Sequence, residues 1–301
     1  MSRRTNRFAA WWQLLRAGNV FTAASNVVVG TLLAGGTWCS WKETLLLVAA
    51  SMLLYEVGMV LNDRFDIEQD RRERPGRPIP SGRITPRAAL QAGLLLLAGG
   101  IFFACLAGWL TGSGKPVVLV VLLAAAVVGY DAGLKQLWCG PLVMGLCRTL
   151  GVLLGASLFF PWQAALWLVA VAIGIYTAGL TLFARAEART SRRRILRAGS
   201  VVVLAGLGLV TLLPTVRDIR LPSEIWALLW IGLILWPTAA CRRAIAEPSP
   251  KNVQAAVVRL IKMFVLIDAA ICLAIAGPGT ALAILSLLVP MRLASRWAPM
   301  T

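Results

Sequence analysis

The sequence predicts an all-α fold, a polytopic membrane bundle of nine to ten transmembrane helices, and three observations carry that expectation. Of the 301 residues, 58% are hydrophobic and only 14% charged. A soluble globule of this length must keep a polar outside, so it cannot hide that much apolar surface. Apolar runs of roughly 20 residues, the length of one bilayer crossing, recur along the chain between charged or Gly/Pro breaks. The bases, finally, are shared very unevenly between alternate connecting segments.

Taken in order, residues 1–14 carry Arg3, Arg4 and Arg7 ahead of the first apolar run and read as a cytoplasmic N-terminal arm. With no clear small-residue cleavage site, the first span is expected to stay uncleaved. Spans are expected at 15–36, 43–62, 87–110, 116–133, 140–160, 163–184, 196–213, 223–241 and 260–276, with an extra tenth helix at 279–295. Turns such as Phe160-Pro161-Trp162 and Gly277-Pro278-Gly279 are short enough for adjacent antiparallel helices. Residues 62–86 and 185–197 become cytoplasmic loops at the active site of a single domain, 1–301.

Lys and Arg total 30 against 13 Asp and Glu, a formal charge of +17. Alternate assignment gives 26 of the bases to one face and leaves Lys42, Lys115, Arg217 and Arg220 to the other. That asymmetry puts both termini in the cytoplasm, in an inner (cytoplasmic) membrane. The tenth helix is needed to bring Arg292 and Arg296 to the basic face. Most of the positive charge therefore orients the chain and meets anionic lipid headgroups, and no nucleic-acid partner is expected. The chain has no His, which excludes an imidazole base, Ser-His and Cys-His dyads, and His-ligated metal. Six Cys lie scattered in apolar stretches and read as small buried hydrophobes.

The acids are few and five of them, Asp63, Asp66, Glu68, Asp70 and Glu73, fall within eleven residues of the segment NDRFDIEQDRRERPGRPIPSGR (62–83). If the second span continues as a helix, Asp63, Asp66 and Asp70 share one face, with Asn62 one turn from Asp66. Like charges so spaced repel unless a cation lies between them, and hard oxygen ligands suit Mg2+. Arg71, Arg72, Arg74 and Arg77 follow, and Pro75, Pro78 and Pro80 are expected to end the helix and hold an extended loop. Carboxylates for a metal beside guanidinium groups for phosphate oxygens suit a magnesium diphosphate. The plain alternative is a solvated loop of internal salt bridges.

The run Asn62, Asp63, Asp66, Asp70, then Arg74-Pro75-Gly76-Arg77-Pro78-Ile79-Pro80-Ser81-Gly82, resembles the first aspartate-rich motif of the UbiA superfamily of intramembrane prenyltransferases. Tyr130-Asp131-Ala132-Gly133-Leu134-Lys135 is similar to the family's Tyr-x-x-x-Leu-Lys element, whose Lys is associated with diphosphate. Gly140 to Arg148 resembles the start of its fifth helix, and Arg16, Asn19 and Asn26 occupy the place of polar pocket residues on its first. The second aspartate-rich motif is depleted: between Tyr176 and Ile195 the only acid is Glu187, amid Arg185, Arg189 and Arg192 to Arg194. In this respect the chain resembles a divergent, EboC-like branch.

The resemblance implies a UbiA-like fold and Mg2+-dependent transfer of a prenyl group from a polyprenyl diphosphate to an unknown acceptor. Asn62, Asp63, Asp66 and Asp70 are the implied metal ligands, with Glu187 at a second position. Lys135, Arg74, Arg77, Arg185 and Tyr130 are the implied diphosphate ligands. Two acids lie at membrane depth, where an ionisable group is a functional candidate. Glu56, seven residues before Asp63, is expected under the metal site, where it stabilises an allylic cation, acts as the base as an alternative to Asp131, or is a neutral acid bonded to Asn26 or a backbone carbonyl. Asp268 is expected in a structural hydrogen bond. Two rival functions stand beside transfer: cyclisation of the prenyl diphosphate without an acceptor, and non-catalytic isoprenoid binding. Prenyl length and oligomeric state have no signature in the sequence.

Overall fold

The computed structural model describes residues 2–16, 18–37, 40–185 and 192–294, and every regular element among them is helical. In order these are α1 (Ser2–Leu15), α2 (Phe21–Leu33), α3 (Trp41–Phe65), α4 (Ile67–Glu73), α5 (Pro86–Thr111), α6 (Lys115–Ala132) and α7 (Gly140–Ala156). They continue as α8 (Ala164–Ala184), α9 (Arg193–Thr211), α10 (Ser223–Ala246), α11 (Pro250–Ala276), α12 (Pro278–Ser286) and α13 (Leu288–Ala294). Single 3₁₀ turns occur at Leu134–Gln136 and Leu213–Thr215.

The helix boundaries follow local chemistry. Thr85 accepts a hydrogen bond from the Ala88 N–H and Pro86 opens α5, while Gly112, at φ 64°, ends it in the left-handed conformation. Ser249 with Pro250 repeats that start for α11. Such a cap is worth about 1 kcal/mol. Six helices, α3, α5, α6, α8, α9 and α10, are long and apolar enough to cross a bilayer. Their outer faces carry exposed Leu95, Phe102, Leu122, Leu228 and Leu235, as a lipid-facing surface requires. The protein is thus an integral, multi-pass membrane protein.

The remaining expected spans are modified. The first begins only at Phe21, and its 13 residues span roughly 20 Å, short of the hydrocarbon thickness. The arm before it is itself a helix, α1. The expected tenth helix at 279–295 is two short pieces, α12 and α13, with Leu287 between them. The ninth span starts ten residues early, at Pro250, so that Lys251 and Arg259 lie on the helix instead of before it.

Around the centre, α2 packs on α3, α7 and α11, α7 on α6 and α8, and α8 on α9 and α11. The α2–α7 contact is backbone to backbone. A Cβ on Gly30 would collide with the Val152 carbonyl, and one on Gly155 with the Val27 carbonyl. Thr31 Oγ1 donates across the same seam to the Gly155 carbonyl at 2.9 Å. Helices in lipid gain no hydrophobic drive to associate, so close approach through small residues supplies the packing. This seam fixes where Thr22 and Asn26 on α2 stand relative to Arg148 on α7.

Candidate active site

Six helices, α2, α3, α6, α7, α8 and α11, enclose a cavity of about 280 Å³. Its apolar wall includes Leu54, Met59, Leu123, Val127, Met144 and Phe264; its polar groups include Arg16, Asn26, Tyr55, Asn62, Tyr130, Asp131 and Arg148. A second pocket of about 350 Å³ lies beside it, lined by Gln13, Arg16, Asp63, Arg74, Gly76, Arg77 and Pro78. Arg16 borders both.

At the mouth of the cavity the acids sort into two sets rather than one. The helix stops at Phe65, Asp66 adopts φ −87° and ψ 10°, and α4 restarts at Ile67. Backbone bonds from Asp66 N to Asn62 O and from Asp70 N to Asp66 O carry the register across the break. Asp63 and Asp70 remain on one side and share Arg77, whose Nη1 lies 3.0 Å from Asp63 Oδ1 and 2.7 Å from Asp70 Oδ2. Arg16 adds a second guanidinium to Asp63 Oδ1 at 3.1 Å. Asp66 turns to the other side, where Lys135 Nζ sits 2.6 Å from Asp66 Oδ1 and 3.1 Å from Asn62 Oδ1. The expected single face of three aspartates is therefore corrected to two clusters, each closed by a base. Among the described residues no three acids or thiols converge as a metal-holding group.

The loop after α4 is wound, not extended as the prolines suggest. Arg77 N bonds to Arg74 O, Ser81 N to Arg77 O, Gly82 N to Ile79 O and Ile84 N to Pro78 O, with Gly82 at φ 75° supplying the left-handed corner. Ile79 and Ile84 are buried against Ala10 and Leu14 of α1 and Val60 of α3. Arg83 ties the loop from outside through Gly76 O at 2.6 Å and Gln13 Oε1 at 2.9 Å. The turn therefore holds Arg77 against Asp63 and Asp70. Burial pushes the Asp70 carboxyl up from its ordinary range, and the Arg77 charge only partly offsets it.

Other expected ligands fall differently. Tyr130 and Asp131 line the cavity at the end of α6. Asp131 is 3% exposed; among the described residues its Oδ2 has no hydrogen-bond partner, and Lys135 and Asp66 are its strongest charged neighbours. Arg185 does not reach toward the diphosphate ligands. It donates to the Leu137 and Gln136 carbonyls at 2.5 and 3.3 Å, clamping the turn that carries Lys135. Arg74 lines the second pocket, not the main cavity. Glu56 is buried on the α3 stripe of Val60 and Asp63, whereas Tyr55, Met59 and Asn62 face the cavity, so it does not lie beneath the cluster in the pocket. Asn26 does not bond to Glu56; its Nδ2 donates to Asp268 Oδ2 at 2.9 Å. Glu187 and Arg189 lie outside the described residues.

Sequence reasoning missed one wall residue. Arg148, counted with the cytoplasmic bases, sits inside the bundle on the third turn of α7 and lines the cavity. Its signal was present: an Arg eight residues into an apolar helix, where a charge must find a partner.

The donor set at the mouth fits a hard divalent cation. Asn62 and Asp66 already point oxygens at one positive centre, the Lys135 ammonium. A cation held there would free Lys135 to meet phosphate.

Comparison with known proteins agrees with the fold. A solved digeranylgeranylglyceryl phosphate synthase structure superposes at TM-score 0.63 and 19% identity, covering 92% of this chain and 99% of that one. A UbiA homolog from Aeropyrum pernix K1 gives 0.60 at 18% identity, over 85% of this chain and 97% of its own. In sequence, a digeranylgeranylglyceryl phosphate synthase of Natronomonas pharaonis is 30% identical over 185 residues, 62% of this chain and 60% of that protein. The synthase of Methanothrix thermoacetophila is 35% identical over 125 residues, 42% of this chain and 45% of that protein. The chain thus matches about half to three fifths of these relatives' length. The profile of the UbiA prenyltransferase family matches residues 23–267, most of the chain, and the protein belongs to that family.

Proposed function

We propose that the protein is a Mg2+-dependent intramembrane prenyltransferase, moving the prenyl group of a polyprenyl diphosphate to an acceptor with release of diphosphate. The observation that carries this is the Lys135 ammonium shared between Asn62 and Asp66 at the mouth of a cavity with apolar walls. The family membership and the relatives' names support it. Those names describe a product with geranylgeranyl groups on glyceryl phosphate, so a glycerophosphate lipid is the first acceptor to test.

Asn62 and Asp66 would hold the metal, and Mg2+ bound there supplies charge to neutralise the diphosphate leaving group. Lys135 exchanges Asp66 for a phosphate oxygen, held at that spot by the Arg185 clamp. The prenyl chain lies along Leu123, Val127 and Met144, which keep water from the allylic carbon. The C1–O bond breaks with its electron pair leaving on diphosphate, the acceptor oxygen bonds to C1, and Asp131 takes the acceptor's proton. Arg77, between Asp63 and Asp70, positions the loop. Both termini lie in the cytoplasm of an inner membrane, so the donor enters from that side.

Losing one charge-stabilising contact of this kind costs on the order of 3 kcal/mol in the barrier, about 100-fold in rate. Lys135→Ala is expected to lower diphosphate release from geranylgeranyl diphosphate by about that factor. Release unchanged in Lys135→Ala would remove the assignment of the diphosphate to this end of the cavity.

A further inference from the structure

Arg148 is half-buried, and it lies far from the cytoplasmic cluster in terms of helix length. On α3 it stacks near Tyr55, with the guanidinium 5.2 Å from the ring centre, and Tyr55 precedes Asn62 by seven residues, roughly 10 Å. On α7 it follows Gly140, which abuts the Lys135 turn, by eight residues, roughly 12 Å. Both helices put it about two turns deeper than Lys135, beyond direct contact with a diphosphate held there.

Its environment is built for more than neutrality. Nη1 donates to Asn26 Oδ1 at 3.1 Å and Nη2 to Thr22 Oγ1 at 2.8 Å, and the group lies 4.6 Å over the Phe264 ring. Asp268 compensates the charge, but through Asn26, whose Nδ2 donates to Asp268 Oδ2. A guanidinium kept only for stability would gain most from direct pairing with that carboxylate. Here Asn26 is interposed, among the described residues Arg148 has no ion pair, and its edge faces the cavity. Five N–H groups are available and two are used in these bonds.

We infer that Arg148, fixed by Thr22, Asn26 and Phe264, is the acceptor-recognition site, and that it binds an oxyanion, a carboxylate or a phosphate monoester, on the acceptor. A prenyl tail gains nothing from a guanidinium, so the inference assigns this wall to the second substrate. It rests on the transferase reading and adds the residue that recognises the acceptor's anionic group. A planar fork with three unspent donors matches two oxygens of one anionic group.

The test uses purified full-length protein in lipid nanodiscs. Geranylgeranylglyceryl phosphate and 4-hydroxybenzoate serve as phosphate and carboxylate probes, with geranylgeranylglycerol and 4-hydroxybenzamide as uncharged counterparts. At least one anionic probe is expected to bind wild-type protein in preference to its counterpart, and to lose about 100-fold in affinity in Arg148→Gln. The probe that binds identifies which oxyanion is recognised. Because Arg148→Gln leaves Asp268 without its counter-charge, Arg148→Gln with Asp268→Asn is measured beside it and is expected to show the same loss with wild-type melting. Binding of neither anion, equal binding of the neutral counterparts, or full affinity in the folded double variant would overturn the proposal. Mg2+-dependent binding of geranylgeranyl diphosphate in the same samples separates the two readings: its absence from wild type removes the transferase, whereas its retention with anion binding untouched removes only the Arg148 site.

Discussion

Asp63 and Asp66 stand three residues apart in one motif, yet their surroundings give them different work. Asp63 is 3% exposed and holds both Arg16 and Arg77, and Arg16 is strained for its sake, a non-glycine residue at φ 46°. Removing the Asp63 charge leaves two guanidinium groups facing each other in a buried site, a loss of the kind that costs about 3 to 5 kcal/mol. Asp66 is more open and, among the described residues, pairs only with Lys135. Asp63→Asn is therefore expected to lower the melting temperature by several degrees, while Asp66→Asn melts like wild type; scanning calorimetry or tryptophan fluorescence in the same detergent reads both. Equal melting of the two variants would show that Asp63 is not the structural member. The identity of these acids was legible in the sequence from their number and spacing. Their division was not, because it depends on the backbone break at Asp66 and on Arg16 and Lys135 arriving from other helices.

At the scale of elements, two connections decide the site. The α2–α7 seam at Gly30 and Gly155 lets Asn26 and Arg148 meet, so Gly155→Leu is expected to force the helices apart. Overpacking of this kind costs about 1 to 3 kcal/mol or more, and loss of the monodisperse peak in size-exclusion chromatography checks it. The Arg185 clamp on the 134–137 turn is exposed and holds Lys135 only indirectly. Arg185→Ala is expected to keep wild-type melting and raise KM for the prenyl diphosphate about tenfold, the cost of one charge-assisted hydrogen bond; steady-state kinetics decide, and an unaltered KM would relieve Arg185 of any positioning role. The long helices were legible because hydrophobic runs and Pro or Gly boundaries report length directly. The two-piece end of the chain and the short α2 were not, since a break inside an apolar run leaves hydropathy unchanged.

For the whole molecule, charge asymmetry and the cavity speak to the same axis. Basic segments at 64–87 and the Lys135 turn lie at the end of the bundle where the cavity opens, and the opposite end carries Arg217, which donates to the Leu33 carbonyl at 2.7 Å. Reporter fusions after residues 81 and 217 are expected to report cytoplasm and the opposite compartment respectively; the same compartment for both would contradict the topology. The all-helical membrane class followed from composition, but the function did not, because 58% apolar residues fit any membrane bundle. The motif at 62–83 and Lys135 narrowed it, and the structure joins them at one cavity mouth. The most direct measurement of the central claim is diphosphate release from geranylgeranyl diphosphate by purified protein with Mg2+ or EDTA, in wild type and Asp66→Asn. Release that needs Mg2+ in wild type and falls about 100-fold in a normally folded Asp66→Asn is predicted; release indifferent to both the metal and the substitution would contradict the account.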